Sequence, residues 1–249
     1  MTGEAAALTL TGERTLPGIW HENYWFRRHE VAYRWLSDRV SGVVLEAGCG
    51  EGYGAESLRA AGHATSVVAI DYDPSAAAHV RVTYPDLAAV RGNLVALPLR
   101  SARLDAVVSL QTVEHLWDQP LFVAECARVL RPGGLLAVST PNRLTFSPGI
   151  GRGEKPLNPF HVNEFDPEEL VQLLAARVTV EAVLGIGPGE RIRDWEQRNG
   201  SLVAAQLSVP YGQWPLPLRS FVAELTAEDF VVSVDDVDSS LDLLVVGRA

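Results

Sequence analysis

The sequence is short of cysteine, short of basic residues relative to acidic ones, and without any long apolar run, and each shortage removes a class of protein. Only two cysteines occur, Cys49 and Cys126. Cys49 lies in a glycine-rich stretch and Cys126 in a helical pattern, and no CxxC pair exists. Neither a disulfide framework nor a paired-cysteine metal site is expected. Lysine and arginine number 21 against 31 aspartates and glutamates, a formal net charge of −10. A nucleic-acid backbone or an anionic membrane requires a basic face, so neither is expected as a partner, whereas a neutral sugar or small alcohol remains open. No stretch approaches the ~20 apolar residues of a membrane span. The opening MTGEAAALTLTGERT carries acids and lacks the apolar run of a signal peptide. A reducing, cytoplasmic setting is the expectation. Internal repeats and low-complexity tracts are also missing.

What is present reads as one α/β unit. At 249 residues, 47% hydrophobic and 21% charged, the chain can bury a single full core, so residues 1–249 are expected to form one domain. Apolar residues at roughly helical spacing over Asn23–Val40 predict a first helix, part of an N-terminal helical cap over 1–40. Apolar runs at Val43–Ala47, Ser66–Ile70, Leu87–Val90, Leu104–Leu110, Leu135–Ser139, Val178–Leu184 and Leu241–Val246 predict seven strands. Helix-like segments at 53–61, 75–83 and 118–130 separate the first of these, with Pro74 and Pro120 near helix starts. Continuous rather than alternating hydrophobicity marks strands buried on both faces, and their alternation with helices predicts a mostly parallel sheet. Arg131-Pro132-Gly133-Gly134 interrupts the chain before the fifth strand. Residues 141–165 read as a long functional loop. Asp166 is expected to cap a helix reaching Ala176. Residues 185–227, with Trp195, Trp214 and several prolines, read as an insertion that could serve as lid, dimer contact or both.

The first strand runs into Glu46-Ala47-Gly48-Cys49-Gly50-Glu51-Gly52-Tyr53-Gly54. These glycines permit positive φ and close backbone approach to a ligand, and a helix N-terminus follows. Counted from Gly50, their spacing tolerates a dinucleotide variant, so the glycines alone leave a nicotinamide cofactor open. Glu46 would repel a pyrophosphate but suits a cofactor with cationic groups. Asp71, at the tip of the second strand, is placed to accept from ribose hydroxyls. Gly92-Asn93-Leu94 and Gln111-Thr112 follow the third and fourth strands, and the carboxyl ends of such strands form one crevice. On the first helix, Tyr24 and Arg27 or Arg28, Arg28 before Arg27, could meet a carboxylate, since an arginine fork matches that shape.

These features together resemble the class I S-adenosylmethionine-dependent methyltransferases, over about residues 40–140: E-x-G-C-G-x-G, an acidic end to the second strand, and LRPGG before the fifth. The resemblance implies a Rossmann-like, three-layer αβα fold. It also implies Gly48, Gly50 and Gly52 beside the methionine part of the cofactor, Asp71 on the ribose, Asn93 and Leu94 near the adenine, and Tyr72 flanking it.

Methyl transfer to oxygen needs an in-line approach and removal of a hydroxyl proton, by a base or by a metal that acidifies the hydroxyl. Glu114-His115 directly follows the fourth strand and overlooks the crevice, and a histidine there is a natural base. His161, in the 141–165 loop, borders the same crevice. This pair of motifs is similar to the arrangement in small-RNA 2′-O-methyltransferases, which implies Glu114, His115 and His161 as ligands for Mg²⁺ or Mn²⁺. Gln111 stands where that pattern has its first glutamate. His21, His29, His63 and His79 show no partner pattern and are expected to be structural. Over nearly its whole length (LTLTGERT, ENYWFRRHEVAY, EHLWDQ, STPNRLTFSPG, NPFH, SLDLL) the chain resembles the actinobacterial 1-O-methyltransferases of methylmannose polysaccharide biosynthesis. That likeness implies an acceptor that is a short 3-O-methylated mannoside. Trp117, Phe146, Phe160, Trp195 and Trp214 are compatible with a sugar site. A quinone or phenol acceptor, and a non-catalytic cofactor-binding protein, are the alternatives.

Overall fold

The structure is a computed structural model that describes Leu8 and residues 14–249. The LTLTGERT segment and the start of the 1–40 cap therefore fall mostly outside the described residues.

Eight strands form one sheet in the order β3-β2-β1-β4-β5-β8-β6-β7. They are β1 (Gly42–Ala47), β2 (Ala64–Asp71), β3 (Ala88–Arg91), β4 (Leu104–Leu110), β5 (Leu130–Pro141), β6 (Thr179–Pro188), β7 (Phe230–Ser233) and β8 (Asp242–Arg248). The pairs from β3 through β5 are parallel, and β8 lies antiparallel to both β5 and β6. The sheet is thus Rossmann-like and mostly parallel, as expected. It has one strand more than the seven anticipated, because β7 pairs antiparallel with the end of β6.

Two-sided burial explains the apolar strands. Along β1 Val44 enters one core and Leu45 the other; Ala137 and Leu136 on β5, and Leu244 and Leu243 on β8, divide the same way. Helices α1 (Asn23–Ser37), α2 (Tyr53–Ala60) and α3 (Pro74–Thr83) cover the first face, through Leu36, Leu58 and Val80. Helices α4 (Gln119–Val129) and α6 (Pro167–Ala175) cover the second, through Phe122 and Leu170, with the short α5 (Arg143–Phe146) between them in the chain. At about 1.5–3 kcal/mol per fully buried aliphatic side chain, these two interfaces outweigh any local propensity. Helix starts are set by side chains: Asp73 accepts from Ser75 N, Asp118 from Leu121 N, and Asp166 forms a capping box with Glu169. Arg131–Gly134 does not precede β5 but bulges within it, the register jumping from Leu104↔Leu130 to Ala106↔Leu135.

Residues 185–188 complete β6, and the rest of the expected insertion is helical: α7 (Glu190–Asn199), α8 (Leu202–Leu207) and α9 (Leu216–Ala223). Ile192, Leu202, Leu218 and Val222 bury a third small core against Tyr24 of α1 and Phe230 of β7. Among the described residues no helix is long and apolar enough to cross a membrane.

Candidate active site

The chain order reverses between β1 and β4, and the carboxyl ends of strands at such a point open a crevice. A cavity of about 530 Å³ lies there. Gly48 leaves β1 at φ +85°, and a Cβ on it would sit 2.4 Å from Oγ1 of Thr112 beyond β4, so only glycine lets the two turns close. Gly50 N–H donates to Asp71 Oδ2 at 2.8 Å, and Asp73 N–H to Asp71 Oδ1 at 2.8 Å. Asp71 therefore ties the first two turns together while its carboxylate still lines the cavity. Gly48, Gly50, Asp71, Tyr72, Asn93, Leu94 and Gln111 all line it.

Four residues expected on the cofactor do not line this cavity. Strand alternation turns Glu46 to the α1–α2 face, wholly buried, where Tyr33 donates to its Oε1 at 2.5 Å. Burial above all pushes its pKa up to about 8, so near neutrality it is an uncharged acid rather than a counter-charge for a cation. Gly54 makes this packing possible, since a Cβ there would lie 2.3 Å from Glu46 Oε1. Gly52 caps α2 and backs onto Val80 instead of the cavity. Tyr24 is buried in the third core, edge-on to Trp25 and Phe230. Arg28 is buried with its Nε 2.9 Å from Asp242 Oδ2 and its guanidinium over the Trp25 ring, and it lines a neighbouring cavity. Burial lifts Asp242 to about 6 against the opposing pull of Arg28. The guanidinium that does reach the first cavity belongs to Arg14, paired to Asp73 at 3.0 Å.

The neighbouring cavity, about 350 Å³, shares Arg14, Thr15, His29, Gln111 and His115 with the first. These five residues form a seam. Gln111 sits at φ +52°, a strained backbone for a non-glycine residue, with its amide held by Ser139 Oγ at 3.3 Å. His29, expected to be structural, is on the seam, its Nδ1 3.3 Å from Thr15 Oγ1. Desolvation, then Arg28, depresses it to about 3, so it is a neutral imidazole. Nothing in the local sequence marks His29, Arg14 or Trp25; only the tertiary closure of the N-terminal segment over the sheet brings them in.

The structure brings Glu114, His115 and His161 together. One ligand atom from each lies within 4.8 Å of the others. Glu114 and His115 lie in a short 3₁₀ turn after β4, and His161 comes from the loop after α5, which Val162 N–H and Asn163 N–H fasten to the Glu114 carbonyl. Glu114 is buried and accepts from Thr140 Oγ1 at 3.0 Å; burial raises its pKa, with His115 the strongest opposing influence. His115 Nδ1 lies 3.1 Å from the Phe160 carbonyl, which can only accept, so Nδ1 carries the proton and Nε2 is the basic nitrogen. The His115 and His161 rings meet edge-on at 5.0 Å, and Phe146 stacks on His161. Of the aromatic residues expected near a sugar, Phe146 lines the second cavity and Phe160 the first. Trp117 is 89% exposed, and Trp195 and Trp214 pack inside the helical insertion.

Comparison with known proteins bears on the family and the fold. A model of the methyltransferase domain matches residues 45–138. A Mycobacterium tuberculosis protein named a probable S-adenosylmethionine-dependent methyltransferase is 49% identical, over 98% of this chain and 91% of its own length. A similarly named Mycolicibacterium smegmatis protein is 49% identical, over 97% and 95%. Among solved structures, an S-adenosylmethionine-dependent methyltransferase from Mesorhizobium loti shares the fold at TM-score 0.57 and 19% identity, covering 89% of this chain and 98% of that one.

Proposed function

We propose that this chain, which belongs to the class I S-adenosylmethionine-dependent methyltransferases, methylates a sugar hydroxyl, with the 1-OH of a short 3-O-methylated mannoside as acceptor. The observation that carries this reading is the seam. The cofactor would occupy the cavity at Gly48, Gly50, Asp71 and Asn93, with Arg14 rather than Arg28 toward its carboxylate. The acceptor would occupy the cavity with Trp25, Glu114, Phe146 and His161, so that methyl donor and hydroxyl face each other across Gln111 and His115.

In that arrangement the acceptor oxygen attacks the methyl carbon as the carbon–sulfur bond breaks, and His115 Nε2 takes the hydroxyl proton. General-base help of this kind is worth about 10²–10⁴-fold. The second cavity pairs aromatic and aliphatic faces (Trp25, Phe146, Leu207) with polar groups, and its one deeply buried cation, Arg28, is neutralised by Asp242. Such a lining suits an uncharged, polyhydroxylated acceptor already carrying methyl ethers. One buried carboxylate and two imidazoles converging within 4.8 Å also fit a divalent cation. With Mg²⁺ or Mn²⁺ held by Glu114, His115 and His161, His115 Nε2 would be a ligand in place of its role as base, and the ion would instead lower the pKa of a coordinated hydroxyl, whose proton would pass to solvent.

The test is transfer of labelled methyl from S-adenosylmethionine to a panel: 3-O-methylated mannobiose, unmethylated mannobiose and a catechol-type phenol. Methylation of the 3-O-methylated mannoside at its 1-OH, with at least tenfold preference over the other two, is expected. Preference for the phenol would replace the sugar by an aromatic acceptor, and no transfer to any would leave cofactor binding as the function.

A further inference from the structure

We propose that Glu164 is a positioning residue that sets His161 for the divalent cation shared with Glu114 and His115. This rests on the cation reading above and goes beyond it, because Glu164 lies outside the convergent set.

Glu164 is a carboxylate buried to 1% exposure at the end of a loop, where an ionised group is expensive to keep. Among the described residues its Oε1 accepts from His161 Nδ1 at 2.7 Å, while Oε2 has no partner. A carboxylate accepts only, so Nδ1 of His161 carries the ring proton and Nε2 carries the lone pair. A second, independent neighbour demands the same tautomer: the Asn158 Nδ2 amide lies 3.0 Å from His161 Nε2 and donates to it. A cation would compete with that amide for the lone pair. The ring plane is fixed as well, by Phe146 stacked on one side and His115 edge-on at 5.0 Å. Carboxylate, protonated Nδ1 and basic Nε2 form the chain of contacts that orients a metal-binding histidine and raises its basicity.

A purely structural role for Glu164 makes a different forecast. Half of its acceptor capacity is unmet in a dry site, so replacing the charge by an isosteric amide should not harm the fold. A positioning role says that the same change weakens the cation. Mn²⁺ titration followed by electron paramagnetic resonance, on wild type and Glu164→Gln, separates the two. The expected result is Mn²⁺ binding weakened about 10–100-fold in Glu164→Gln, with melting temperature and S-adenosylhomocysteine affinity kept. Glu164→Asp, which retains the charge at shorter reach, should fall between the two and serves as the readout if the amide variant does not fold. Equal Mn²⁺ affinity in wild type and both variants would overturn the role of Glu164 while leaving the cation in place. Absence of Mn²⁺ binding by the wild type would overturn the cation reading and this inference with it.

Discussion

Glu46 shows how much a single residue's direction matters. Its place beside the glycines invites a cofactor role, but position along the chain does not reveal which face a strand residue takes, and a step of one residue exchanges the faces. On the α1–α2 side it is a buried acid with a pKa near 8 against an ordinary 4.5. The folded chain therefore holds a proton there that the unfolded chain releases between those values. The resulting stability is fully present below about pH 4.5 and is lost as pH rises through about 8. Thermal melting of the wild type should accordingly fall between pH 6 and pH 9, and Glu46→Gln should flatten that slope. A wild-type slope that the variant reproduces would remove Glu46 as its source. Asp71, Asn93, Glu114, His115 and His161 were legible because strand ends and turns announce themselves in sequence. Arg14, His29 and Trp25 were not, because they reach the cavities only when α1 and the segment before it close over the sheet. Glu164 follows His161 by three residues in the 141–165 loop, but its bond to His161 needed the loop's own geometry.

Among the elements, the doubly buried strands were the easiest to read, since their unbroken hydrophobic runs follow from two covered faces. Strand β7 has no such run. It is four residues long, only Phe230 is fully buried, and an acidic, serine-rich stretch follows it. In sequence the 185–227 stretch reads only as an insertion, because its helices are short and prolines fall among them. One side chain fastens it to α1: Asn23 Nδ2 lies 2.9, 3.3 and 2.8 Å from the carbonyls of Val222, Ala223 and Leu225 at the end of α9. Removing that donor leaves buried carbonyls unmet, at about 1–3 kcal/mol. At roughly 2–4 °C per kcal/mol for a chain of this size, Asn23→Ala should melt about 2–12 °C lower. An unchanged melting temperature would mean that the third core holds the insertion without this tie.

For the whole molecule, the reversal of strand order creates the crevice, while the N-terminal segment and the loop after α5 divide it into two cavities that share a wall. Family membership accounts for the first cavity; the proposed acceptor would take the second. His115 stands between them, so a methyltransferase working across this seam should lose chemistry without losing its cofactor when that imidazole is removed. The decisive measurement is therefore a paired one on His115→Ala: S-adenosylhomocysteine affinity by calorimetry, and methyl transfer to the 3-O-methylated mannoside. The expected result is a cofactor affinity within about threefold of wild type and turnover reduced by about 10²-fold or more. Turnover close to wild type, or a collapse of cofactor affinity in step with turnover, would contradict the two-cavity account.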